Sequence, residues 1–181
     1  MPGITTWEMG GQRLSGTDTR PAGALLGYYG IRVADAAPPA DQGPGGTAAP
    51  WRNEETRRGV LRMHQDSLVG PVISFGLAGL FSDLFGDVAT GVTPLTDRDA
   101  NALLASLRAY PLLTGAAGGS PADLPAIEET MLRLSALVED WPAIAEVTID
   151  TLLIGAAGEG VTAVAPAVRI APTREVSEPG S

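Results

Sequence analysis

Ile127, Met131, Leu134 and Val138 recur at the spacing that stacks side chains on one face of an α-helix. Ser120-Pro121-Ala122-Asp123 precedes them and predicts the helix start, with Ser120 as the capping hydroxyl, proline at the first helical position and an acid at the third. Pro142 closes that segment. Thr96 predicts a second N-cap, with Asp97 and Asp99 at the positive helix start, and the helix runs to about Ala109, burying Leu103, Leu104 and Leu107. A shorter helix over Pro21–Tyr29 places Leu25, Leu26 and Tyr29 on one face, and Gly30 ends it. Apolar runs bounded by turn residues predict strands at Ile31–Val33, Val60–His64, Pro71–Phe75, Val88–Val92, Val147–Ile154 and Val161–Val164. The last two are joined by a turn over Gly155–Gly160, while Gly76 and Gly79 bracket a turn into a helix over about 80–85, broken at Gly86-Asp87.

Strands thus alternate with helices, and at least one pair forms a hairpin. The predicted fold class is α/β, a mixed sheet with helices packed on it. The stretch from Ala34 to Pro50 is Ala, Pro and Gly with two aspartates and has no apolar periodicity. The chain therefore divides into an N-terminal segment (1–33), a Pro/Gly-rich linker (34–56), a main domain (57–172) and a polar, disordered tail (173–181).

Charge and composition remove several function classes. The formal net charge is −9, which repels nucleic-acid phosphates and anionic lipid, so neither nucleic acid nor membrane is expected as a partner. All 12 basic residues are arginine; without lysine there is no Schiff base and no lysine clamp on phosphates. Without cysteine there is no disulfide, thiolate metal site or thiol nucleophile. The start of the chain lacks a secretion-signal pattern. The longest uncharged stretch, Ser67–Ser82, is broken by Gly70, Pro71, Gly76 and Gly79. A soluble cytoplasmic protein is the expectation.

Several stretches, in order, resemble one family. His64-Gln65-Asp66-Ser67-Leu68-Val69-Gly70-Pro71-Val72 is similar to an Asp-Pro-x-Phe-Gly-Pro-Val motif, and Ser74-Phe75-Gly76-Leu77-Ala78-Gly79 to a glycine-rich Phe-Gly-Leu-Gly/Ala-Gly. Pro94-Leu95-Thr96-Asp97, Tyr110-Pro111-Leu112-Leu113, Val138-Glu139-Asp140-Trp141-Pro142, Ile144-Ala145-Glu146-Val147 and Arg169-Ile170-Ala171-Pro172 follow in the family's order. Leu25-Leu26-Gly27-Tyr28-Tyr29-Gly30-Ile31-Arg32-Val33 resembles the opening of the same module. The family is that of the NDP-forming (ADP-forming) acyl-CoA and acetyl-CoA synthetases, and the likeness is to the C-terminal half of their ATP-grasp domain.

That resemblance implies a chemistry and shows where this chain departs from it. Such ligases hold ATP between two lobes, and Mg²⁺ neutralises the phosphates through hard oxygen ligands. The family takes those ligands from an Asp-x-Asn-Pro-Leu strand and an Asp-Ala-Arg on the next. Here the matching residues are Thr148-Ile149-Asp150-Thr151-Leu152 and Ala165-Pro166-Ala167. Asp150 keeps an oxygen ligand; Ala165 and Ala167 keep neither carboxylate nor guanidinium. Two further family arginines are replaced near Gly91 and within Gly115-Ala116-Ala117-Gly118.

The candidate sites are therefore few. Gly76, Leu77, Ala78 and Gly79 form a cofactor-binding candidate, in which backbone N–H groups face an anion, or else simply a tight strand-to-helix turn. Asp150 is the metal-ligand candidate, or an exposed strand-end carboxylate. His64, the only histidine, has no evident partner base and reads as a surface residue. No catalytic residue is assigned. The expected function is a non-catalytic or partner-dependent relative that acts as a binding or assembly module, with itself or a larger synthetase-like protein as partner and no cofactor for the chain alone. The alternative is a subunit of an ATP-grasp acid–CoA ligase that uses Mg and ATP and is completed by a separate nucleotide-binding chain.

Overall fold

The computed structural model describes residues 7–9, 12–14, 19–34, 57–78 and 86–171. The predicted linker beyond Ala34, the helix over 80–85 and the tail lie outside the described residues.

Two short strands, β1 (Trp7–Met9) and β2 (Gln12–Leu14), pair antiparallel. Helix α1 (Thr19–Tyr28) and strand β3 (Val33–Ala34) follow. The main sheet continues with β4 (Arg57–Asp66), β5 (Gly70–Leu77) and β6 (Val88–Val92). Helices α2 (Asp97–Ser106), α3 (Tyr110–Leu113) and α4 (Leu124–Asp140) come next. Strands β7 (Ile144–Ile154), β8 (Val161–Val164) and β9 (Ala167–Ile170) close the described chain.

The result is a mixed seven-stranded sheet in the order β3-β8-β7-β4-β5-β6, with β9 also on β7. Its central strand β7 has 11 residues, long enough to take two partners along one edge. β8 pairs with Thr151–Ile154 and β9 with Ile144–Thr148. The β3–β8 pair is parallel, and the remaining pairs are antiparallel.

Strand alternation sorts the side chains. Leu61 and Met63 of β4, Ile73 and Phe75 of β5, and Val147 and Ile149 of β7 are buried in one core. Ile127, Met131, Leu134 and Val138 of α4 join them, as the helical spacing predicts. On β4 the alternate residues Arg58, Arg62 and His64 are exposed, so this sheet has a wet face.

Local chemistry fixes the helix ends. Thr96 caps α2 in a reciprocal capping box: its hydroxyl accepts from the Asp99 N–H, and the Asp99 carboxylate accepts from the Thr96 N–H. The Thr96 side chain and then its backbone hold the Asp99 carboxyl below the usual range. The helix stops at Ser106, short of the expected Ala109, because the N–H groups of Arg108 and Ala109 donate to the buried Asp87 carboxylate at 2.9 and 2.8 Å. The start of α4 also differs from expectation. Asp123 caps it, not Ser120, because Ala122 is held in an extended bridge to Ala156, so the helix cannot start before Leu124.

Gly30 ends α1 as expected. It sits at φ +78°, its N–H donates to Gly27 O and the Ile31 N–H donates to Leu26 O, the paired bonds of a Schellman motif. α1 then lies against the domain: Leu25 and Leu26 are buried, Trp141 Nε1–H donates to Tyr29 Oη, and Tyr29 donates to Asp140. Burial, and then the bond to Asp140, push the Tyr29 hydroxyl up to about 12, so it stays a donor through the neutral range. Arg133 donates to Gly30 O, and a Cβ at Gly30 would lie 2.7 Å from its Nη1. Gly30→Ala is expected to lower unfolding free energy by about 1 kcal/mol, from the left-handed backbone alone, measured by urea denaturation. Among the described residues no helix is long and apolar enough to cross a membrane.

Candidate functional site

The wet face of the sheet carries the polar chemistry. In antiparallel pairs, residues directly opposite share a face. One row across the sheet reads Val92, Val72, His64, Glu146, Arg169, and the next reads Thr90, Ser74, Arg62, Thr148, Ala167. Arg169 Nε donates to Glu146 Oε2 at 2.9 Å, tying β9 to β7. Arg62 reaches diagonally from β4 to Asp150 on β7, with Nη2 and Nε 2.7 and 3.2 Å from the same oxygen, Oδ1. The two side chains are 55% and 66% exposed, so the pair adds about 0–1 kcal/mol of stability in water.

Asp150 lies where β7 changes partner. The β8 ladder ends at Thr151↔Val164 and the β9 ladder begins at Thr148↔Ala167, so Asp150 falls opposite the bend at Ala165 and Pro166. Ala165 is exposed and holds φ +43°, a left-handed conformation that Asn and Asp adopt more readily than alanine. Its N–H donates to Ala34 O at 2.9 Å, which ties the bend to β3. The structure therefore brings together the two positions that the sequence comparison paired, Asp150 and Ala165. It also supplies Arg62, which sequence reasoning missed.

These residues do not fit a Mg²⁺ site. Asp150 Oδ1 already accepts two N–H groups from the Arg62 guanidinium, Ala165 offers no side-chain oxygen, and the described residues hold no group of three or more His, Cys, Asp or Glu able to bind a metal.

The glycine-rich candidate lies elsewhere. Gly76 and Leu77 belong to β5 rather than to a turn, a correction with a visible cause: Gly76 is paired with Val60 on one side and Val88 on the other. The Ala78 N–H donates to Arg58 O at 2.8 Å. Gly79 lies outside the described residues. His64 sits on the wet face opposite Glu146 and Val72.

Two buried carboxylates, which the sequence marks only as a helix-start acid (Asp123) and part of a helix break (Asp87), both bind backbone. Asp87 holds the turn after α2, and Asp123 holds the turn between β7 and β8 through the N–H groups of Gly158 and Gly160 at 3.0 and 2.8 Å. An aspartate beside glycine, as in Gly86-Asp87, is the nearest sequence signal for the first.

The chain is similar to known proteins. A family model described as an ATP-grasp domain matches residues 44–170. The chain is 35% identical over 109 residues to the beta subunit of acetate–CoA ligase [ADP-forming] II of Pyrococcus furiosus, covering 60% of this chain and 46% of that one. It is 32% identical over 96 residues to the beta subunit of the corresponding ligase I, covering 53% and 41%. The chain thus spans less than half the length of these curated relatives. Among solved structures, it is similar to the acetyl-coenzyme A synthetase 1 of Ca. Korarchaeum cryptofilum in complex with coenzyme A and Mg-AMPPCP. That likeness has a TM-score of 0.58 and 30% identity, over 63% of this chain and 53% of that one.

Proposed function

Because the chain belongs to the ATP-grasp domain family, we propose that it acts as a non-catalytic binding and assembly module related to the ADP-forming acyl-CoA synthetases. The observation that carries this reading is the state of Asp150. Its carboxylate is engaged by Arg62, and the position facing it is Ala165. A polyphosphate needs cations around it, and this face pairs Arg62 and Arg169 with its own carboxylates. The chain has no lysine to add. What remains is a well-packed sheet-and-helix body suited to docking in the cytoplasm, on a second copy or on a larger synthetase-like protein.

The test is a calorimetric titration of the chain with ATP and Mg²⁺ to millimolar concentration. No binding tighter than about 1 mM is expected, since one engaged carboxylate leaves Mg²⁺ to water and the nucleotide. Micromolar affinity would overturn the non-catalytic reading.

A second reading is favoured by one finding: the two Pyrococcus furiosus relatives named above are beta subunits, a name that implies a companion chain. In that reading the chain contributes to an acid–CoA ligase that joins a carboxylate to CoA at the expense of ATP with Mg²⁺, completed by a nucleotide-binding partner. Micromolar binding in the same titration would promote it.

A further inference from the structure

We propose that Arg62 is the resident counter-cation of Asp150, and that this guanidinium, together with the loss of an oxygen at position 165, closes the position to divalent metal. The inference rests on the non-catalytic reading and deepens it, because it names the residue that keeps the metal out.

Two separate features of the sheet support it. The first is geometric. Arg62 comes from β4 and Asp150 from β7, neighbouring strands whose register sets Arg62 opposite Thr148, two residues along from Asp150 on the same strand. The fork of the guanidinium then reaches one carboxylate oxygen with two nitrogens, at 2.7 and 3.2 Å. A divalent ion approaching that oxygen meets a positive group already in place, and at an exposed site the repulsion is on the order of 2 kcal/mol for a unit charge about 4 Å from a divalent one.

The second feature is the bend. Ala165 sits at φ +43° opposite Asp150, with its backbone N–H fixed by Ala34 O. Its exposed Cβ has room for a longer side chain, and the left-handed backbone tolerates aspartate or asparagine. The scaffold for a two-carboxylate position is therefore intact. The two side chains that decide its ligand, at 62 and 165, are both exposed, so changing them does not disturb the core.

The claim predicts synergy. Four full-length chains are compared: wild type, Arg62→Gln, Ala165→Asp, and the double variant. Mn²⁺, which shares the oxygen preference of Mg²⁺, is the probe, and free Mn²⁺ is followed by its paramagnetic resonance signal. Wild type and Arg62→Gln are expected to bind no tighter than millimolar, because one carboxylate is a poor site. Ala165→Asp is expected to stay weak, since Arg62 still holds Asp150. The double variant is expected to bind at least tenfold more tightly than Ala165→Asp.

Equal affinity of Ala165→Asp and the double variant would overturn the role given to Arg62. So would a double variant that melts like wild type and binds no more tightly. Should the double variant fail to fold, Arg62→Gln with Ala165→Asn, which offers a neutral oxygen, is read by the same criteria. The result is separable from the fate of the parent reading: micromolar Mg²⁺·ATP binding by wild type would sink the non-catalytic function, whereas equal Mn²⁺ affinities would sink only the claim about Arg62.

Discussion

Asp123→Ala is expected to lower the unfolding free energy by about 3–4 kcal/mol, because a single buried carboxylate satisfies three backbone donors. Oδ1 accepts from the Ala126 N–H at the start of α4, and Oδ2 accepts from Gly158 and Gly160 in the turn between β7 and β8. The side chain is only 8% exposed in its residue, so water cannot freely replace those bonds. Loss of the helix cap alone costs about 1 kcal/mol, and the two turn amides left without an acceptor add about 1 kcal/mol or more each. Asp123→Asn keeps one acceptor oxygen and is expected to lose about half as much. Chemical denaturation with a two-state fit measures both. A loss below about 1 kcal/mol for the alanine variant would show that the turn holds itself. The consequence also reaches the wet face, since that turn leads into β8, and β8 ends at the bend facing Asp150.

What the sequence discloses depends on whether the controlling interaction is local. The Thr96 N-cap and the Gly30 helix stop were legible because each is decided within a few residues. β6 and β8 match their predicted spans for the same reason: an apolar run bounded by turn residues defines them. β4 and β7 are longer than the apolar runs predict, because their ends are held by neighbours. Arg57 and Arg58 are paired with Ile154 and Leu153, and Glu146 with Arg169. Ser120 was the more obvious cap by composition, yet a bridge to Ala156 fixes the true start three residues on. No local pattern announces that β3 enters the main sheet through the two pairs Val33↔Ala163 and Ala34↔Val164, since these join the two sides of the predicted linker. The site divides in the same way. Asp150 and Ala165 could be read from ordered motifs, but the Arg62 contact spans 88 residues and exists only once β4 and β7 are adjacent.

Gly76→Ala is expected to lower the unfolding free energy by about 3 kcal/mol, and the result bears on what the glycine-rich stretch is for. Gly76 is buried in β5 between β4 and β6. A Cβ there would stand 2.7 Å from the carbonyl oxygen of Asp87 and 3.4 Å from Val88 Cγ2. The first contact is with backbone, so no side-chain rotation relieves it. That backbone is itself fixed, because the Asp87 carboxylate holds the Arg108 and Ala109 amides. Relief must come from moving β6 away from β5, and overpacking of this kind costs about 1–3 kcal/mol, with rigid surroundings at the upper end. Gly27→Ala is the control: nothing lies within 4 Å of its new methyl, and the position is helical, so stability should hold or rise by up to about 1 kcal/mol. If Gly76 were kept only to let an anion approach, the isolated chain would tolerate alanine and only ligand binding would suffer. A large loss of stability with no ligand present assigns the glycine to the close approach of β5 and the turn before β6. An unchanged denaturation midpoint would return it to the list of candidate binding residues.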